Sequence, residues 1–331
     1  MPTEAGTVAS VRLDSAEEEE FVGLLHQWDQ DPEDAWLGTI DPALRLGLYT
    51  EQLIGAWLRQ SRLIRLLAMN WPLRVNRITL GEADFLVRRE GDRTSPLQLW
   101  EIACKFYLHV PGRGWLGPGL NDSLASKLQR VRGHQLRLIH EQAFQAAWQG
   151  DWSARAWMAG WLLESAELLV PGAAIGTSAE SADARWDGAA PRHADRIPSC
   201  WAEAGTPSAA RAGVHAGSLG VTQWWLLPKR RWLRPAFADE PVAQRFEDLD
   251  EAMSFVESSS APRERGSDRP RPLMLAGIRW LRGFGQEPVA AEAMRLMLVP
   301  RGWSERAAAV PAMNGEQEAR EGGEAGEPIT A

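Results

Sequence analysis

Apolar residues recur along this chain with two different periods, and each change of period marks an element. Leu44, Leu48, Ile54 and Leu58 return on one side of a 3.6-residue repeat, which predicts a helix over Pro42 to Gln60. Glu51 falls in phase with that stripe, so it faces inward or sits at the stripe's edge. Thr79 to Arg88 and Leu97 to Val110 each read as a strand, and Glu90-Gly91-Asp92 between them is the turn signal of a hairpin. Asn121 to Gln142 returns to the helical period, with Leu124, Leu128, Val131 and Leu138 as its stripe and Asn121, Asp122 and Ser123 as capping candidates. Gln135 continues that stripe where an apolar residue is expected.

Side chains alternate across a strand, so residues two apart share a face. In the first strand Leu80, Glu82, Asp84 and Leu86 fall together, opposite Ala83, Phe85 and Val87. In the second, Leu97, Leu99, Glu101, Ala103, Lys105 and Tyr107 oppose Gln98, Trp100, Ile102, Cys104 and Phe106. Strands apolar on both sides are central strands covered by helices, so the expected fold is α/β, a central mixed sheet flanked by helices. Glu82, Asp84, Glu101 and Lys105 interrupt that apolar setting. Buried charge is costly unless it is paired or bound to metal, and converging carboxylates repel one another without a cation. Magnesium (or manganese) suits carboxylate oxygens and water. A lysine beside the ion can orient an attacking water or stabilise charge on a phosphate. The same residues also fit a buried ion-pair cluster that only sets strand register, and the pattern leaves both readings open.

The chain carries a net charge of −8, which taken whole argues against attraction to nucleic acid. The acids are concentrated at the ends, however: Glu17, Glu18, Glu19 and Glu20 form one run, and Glu316, Glu318, Glu321, Glu324 and Glu327 another. Residues 1–20 and 305–331 are expected to be disordered tails, which leaves a far less acidic single domain over 21–304. Within it, Gly172 to Gly217 is rich in Ala, Gly, Ser and Pro without an apolar period, and is expected to be a flexible insertion. Cys104 and Cys200 have no ligand-type spacing, which argues against a disulfide scaffold and a cysteine zinc site. No apolar run approaches the ~20 residues needed to cross a bilayer, and no signal peptide opens the chain, so a cytoplasmic protein is expected.

Glu51 on a helix, Gly81-Glu82-Ala83-Asp84 on a strand, and a glutamate with a lysine on the next strand resemble the PD-(D/E)XK nuclease superfamily over roughly residues 42–142. The resemblance implies a nuclease-like core that cleaves phosphodiester bonds, with DNA as the nucleic-acid partner. Asp84 and Glu101 would hold magnesium, Glu51 and Glu82 would support it, and Lys105 would assist the attacking water. Gln135, on the helix that follows, would touch the site. One departure stands out: the superfamily places a single residue between acid and lysine, whereas Glu101-Ile102-Ala103-Cys104-Lys105 has three. Ala103 takes the expected acidic position, and Glu101 lies about 7 Å further along the same face. The alternative is a catalytically inactive module of the same fold that binds nucleic acid or protein. The ordered chain as a whole resembles more closely a bacterial family catalogued as domain of unknown function 1853. The likeness runs along Leu80 to Leu86, Trp100 to Val110, Leu116 to Leu138, Val221 to Leu233 and Leu273 to Trp303.

Lys127, Arg130, Arg132 and Arg137 populate the other faces of the Asn121 helix and are candidates for holding nucleic-acid phosphates, beside the plainer reading of a solvated helix face. Lys229, Arg230, Arg231, Trp232 and Arg234 form a second basic cluster with an aromatic in it, suited to single strands or distorted DNA. Gly112-x-Gly114-x-x-Gly117 matches a dinucleotide fingerprint in letters only. Trp115 and Pro118 crowd it and no helix opens at its glycines, so no nucleotide cofactor is expected.

Overall fold

The computed structural model describes residues 9–31, 40–41, 45–90, 96–169, 197–236, 244–258, 271–281 and 288–311. In chain order its first half contains helices α1 (Ser15–Gln30) and α2 (Leu46–Gln60) and strands β1 (Ile64–Val75), β2 (Ile78–Arg89), β3 (Leu97–Val110) and β4 (Gly114–Leu116). Helices α3 (Leu124–Arg130) and α4 (Gln142–Ala147) and strand β5 (Trp152–Ser165) follow. The second half holds β6 (Ser199–Glu203), α5 (Pro207–Ser218), β7 (Gln223–Leu226), β8 (Gln244–Phe246), α6 (Leu249–Glu257), β9 (Leu273–Leu281), β10 (Val289–Val299) and α7 (Trp303–Ala309). The protein is a mixed α/β fold whose mixed sheet is covered by helices.

Two compact units divide the chain: the described residues of 1–105 and 126–161 form one, and those of 106–125, 162–175 and 197–311 the other. In the first unit the strand order is β1-β2-β3-β5. β1 and β2 form a hairpin closed by Asn76 and Arg77, both with positive φ, as a two-residue turn between twisted strands requires. Phe85, Val87, Trp100 and Ile102 pack with Ile54, Trp57 and Leu58 of α2, and Trp57 stacks on Trp100 at 6.2 Å between ring centres. Leu73, Ala83, Leu86 and Leu99 face a second cluster built with Leu138, Ile139 and Phe144.

In the second unit β5 runs parallel to β6 and β6 parallel to β10, while β10-β9-β7-β8 continue antiparallel. Ala209, Ala212 and Ala216 of α5 and Leu249, Ala252 and Val256 of α6 are buried against Leu275, Leu296 and Leu298. Arg295 of β10 is fully buried, paired with Glu292.

Several expectations are corrected. The N-terminal acidic run is not a loose tail, because α1 starts at Ser15. Asp14 caps it, accepting from the amides of Ala16 and Glu17, while the Glu17 carboxylate accepts from the Asp14 amide. Acids in a first turn complement the helix dipole, so the run that looked solvating is a helix start. Residues 197–217 do not belong to a loose insertion: β6 and most of α5 occupy them, and 172–196 lie outside the described residues. Most of the burial in α5 rests on small side chains, Ser208, Ala209, Ala212 and Ala216, which a search for large apolar residues passes over. At the C-terminal end α7 extends to Ala309, past the expected boundary at 304. The Asn121 helix is not continuous: α3 ends at Arg130, a wide π turn covers Val131–Gln135 around Gly133, and a 3-10 turn covers Leu136–His140. Leu48 is 44% exposed, so the buried face of α2 is set by Thr50, Ile54, Trp57 and Leu58, and Leu44 lies outside the described residues. β2 ends at Arg89, Glu90 follows it, and Gly91 and Asp92 of the expected turn also lie outside the described residues.

Candidate active site

The carboxylates meet where β2 and β3 separate. The antiparallel ladder between the two strands ends at Phe85 and Trp100. One residue further, the Asp84 side chain takes over the role of the strand, its Oδ2 accepting from the Ile102 amide at 2.7 Å. Strict alternation breaks at this point: Ala83 packs in the cluster of Leu86, while Phe85 packs with Val87 in the other. Glu82, expected on a buried face, is exposed.

Asp84 and Glu101 each act on the other's protonation. Burial, and then the neighbouring Glu101 charge, push Asp84 up to about 8. Glu101, 3% exposed, is also raised by burial, against the pull of Lys127. Glu51 reaches the cluster from α2, where burial and then the charges of Asp84 and Glu82 push it up to about 7. The four predicted carboxylates therefore act on one another. Among the described residues, however, no group of three or more His, Cys, Asp and Glu side chains is gathered closely enough to hold a metal ion by itself.

The positive charge acting on these acids is that of Lys127. Its Nζ donates to Glu101 Oε1 at 3.1 Å and to Gln135 Oε1 at 3.0 Å. Both ends of the Lys127–Glu101 pair are well buried, at 13% and 3% side-chain exposure. Lys127 was expected as a phosphate contact on an outer face, and Lys105 as the lysine of the site. The structure places Lys127 on the acids, while Lys105 lowers the Cys104 thiol against its burial. The signal was present in the sequence, since Lys127, Val131 and Gln135 succeed one another at spacings of four on one helix face. Arg130 and Arg137 are exposed and Arg132 is half-buried on the turns that follow.

Donor chemistry fits a hard divalent cation. Asp84 and Glu101 offer carboxylate oxygens whose mutual repulsion a cation would relieve, and magnesium is commonly held by one or two carboxylates with water completing its shell.

Fold and site thus define an α/β protein with a buried acid–lysine cluster at a fork between two strands. The model of the family described as Domain of unknown function (DUF1853) matches residues 3–299, and the chain belongs to that family. Neither the curated proteins nor the solved structures contain a match to the chain. No helix among the described residues is long and apolar enough to cross a membrane.

Proposed function

We propose that the protein is a metal-dependent nuclease of the PD-(D/E)XK kind, hydrolysing phosphodiester bonds in DNA. The reading is carried by one observation: Asp84 and Glu101 stand in a buried fork, Asp84 accepting from the Ile102 amide, while Lys127 reaches Glu101 and Gln135. Asp84 and Glu101 would hold magnesium or manganese, and Glu51 and Glu82 would add negative charge around it. The bound ion supplies charge stabilisation on a phosphate oxygen and makes a nearby water more acidic. Lys127, fixed by Gln135 and Glu101, orients that water. As the water oxygen bonds to phosphorus, the bond to the leaving oxygen breaks. Glu51, with an affinity for protons matched to neutral pH, accepts the proton released by the water.

The alternative is a silent module that binds nucleic acid through the same unit. Two observations favour it: Ala103 stands where the superfamily has an acid, and the charge of Glu101 is paired with Lys127.

Thermal melts with and without magnesium, and cleavage assays on branched, flapped and single-stranded DNA, separate the two. The nuclease reading expects a magnesium-dependent rise in Tm and cleavage, both lost in Asp84→Asn. Cleavage is also lost in Lys127→Met, by a factor of at least about 100. Undiminished cleavage by Asp84→Asn would overturn the reading, and an unshifted melt with intact DNA binding would favour the silent module.

A further inference from the structure

In the second unit, a buried ion pair is used to hold a surface turn. Arg295 is fully buried, and its Nε and Nη2 donate to the Glu292 carboxylate at 2.5 and 2.7 Å. Its remaining donors leave β10 altogether: Nη1 reaches the carbonyl of Trp232 at 3.0 Å and Nη2 that of Arg234 at 2.8 Å. Glu292 completes the clamp by accepting from the Ala236 amide at 2.7 Å. The Trp232 indole closes the same turn, donating to the Leu227 carbonyl at 3.0 Å, and its ring meets Phe106 edge-on at 5.1 Å. Burying two charges brings little net stability, because desolvation offsets most of their attraction. A clamp of this kind specifies a backbone position instead.

The position it specifies is that of a cationic turn. Lys229, Arg230 and Arg231 form a single 3-10 turn directly before Trp232. Lys229 and Arg230 are exposed, and the Lys229 ammonium lies 5.8 Å from the centre of the Trp232 ring. No carboxylate among the described residues pairs with Lys229 or Arg230. In a chain of net charge −8, three successive cations on an anchored turn, beside a ring fixed by its own hydrogen bond, form a rigid local inversion of charge.

We propose that Lys229, Arg230 and Arg231 form a docking surface for the phosphate backbone of nucleic acid, held in place by the Arg295–Glu292 clamp. The proposal rests on the nucleic-acid reading above and extends it to a second set of contacts, outside the carboxylate unit. Backbone phosphates fit because they offer regularly spaced negative charges that match the point charges of the turn.

The test is fluorescence anisotropy of a labelled single-stranded oligonucleotide with the full chain in EDTA, where binding is read without cleavage. Lys229→Glu/Arg230→Glu should weaken binding at least tenfold at about 50 mM salt and reduce the salt slope by about two, with an unchanged Tm. Arg295→Met/Glu292→Leu keeps all three cations, removes both buried charges together, and should still fold. It should lose affinity about threefold because the turn is no longer held. Unchanged affinity in the charge-reversed variant overturns the proposal and leaves the nuclease reading standing. Competition by polyglutamate as strong as that by unlabelled DNA would also overturn it, since the surface would then select charge and not a phosphate backbone. Binding that follows these expectations without any cleavage in magnesium would instead remove the nuclease reading and keep the docking surface.

Discussion

At the scale of single residues, the acids of the fork carry protons that the unfolded chain would release. Asp84 is pushed up to about 8 and Glu51 to about 7, in each case mainly by burial. A group whose proton is held more tightly in the fold stabilises it fully below its unfolded pKa, and that stability is lost as pH rises through the folded value. The metal-free protein should therefore lose stability progressively from about pH 4, where the unfolded carboxyls ionise, up to about pH 8. His215 runs the other way: it is buried and its pKa is lowered by burial, so its cost appears only as pH falls below about 6.5. A window from about pH 7 to 8 lies above the range of His215 and below that in which unfolded thiols ionise, so it reports on the acids. Urea midpoints should fall across that window in the wild type, the fall should shrink in Asp84→Asn, and saturating magnesium should abolish it. A midpoint that stays level across that window would show that these carboxyls are already ionised.

At the scale of elements, close approach between strands decides which residues are tolerated. Gly160 of β5 has a φ of +133°, and a Cβ there would lie 1.6 Å from the Lys105 carbonyl oxygen and 2.7 Å from its carbonyl carbon. That obstacle is backbone, so neither strand can yield by a side-chain rotation. Gly160→Ala should destabilise the protein by at least about 3 kcal/mol, or prevent soluble expression. A denaturation midpoint within error of the wild type would mean that β3 and β5 do not approach as closely as described. This contact also marks the limit of what the sequence shows. β2 and β3 were legible because alternation and a flanking turn signal agree. β1 was not read, because Arg65, Asn70, Pro72 and Arg74 interrupt its apolar residues; Pro72 is compatible with its place at the sheet edge. α5 is hidden from periodicity because mostly alanine and serine fill its buried positions, and β6 because it is only five residues long. The acids of the site were legible as charges in apolar strands. Their partner was not, because periodicity assigns a residue to a face and cannot show where two strands separate. Lys105 shares a strand with Glu101, but Lys127 comes from the helix that faces the opening.

At the scale of the whole molecule, neither compact unit is a continuous stretch of chain. Residues 97–105 of β3 belong to the first unit and 106–110 to the second; 152–161 of β5 belong to the first and 162–165 to the second. Two strands therefore pass through both units, and a strand half unfolded leaves backbone groups of the other half unpaired at the boundary. This predicts one cooperative transition, and the two cysteines can report on it. Cys104 lies in the first unit with the carboxylates, and Cys200 lies fully buried in the second, where burial drives its thiol pKa upward. In Cys104→Ser the single thiol reports only on the second unit, through its labelling rate with a thiol reagent in intermediate urea. Magnesium at a hundred times its dissociation constant would add about 2.7 kcal/mol to the folded state through the first unit. If the units unfold together, labelling of Cys200 should slow by a factor of about 100, although no ligand of the ion lies in its unit. An unchanged labelling rate beside a magnesium-stabilised first unit would show that the two units open independently, so that ion binding in the first has no hold on the basic turn of the second.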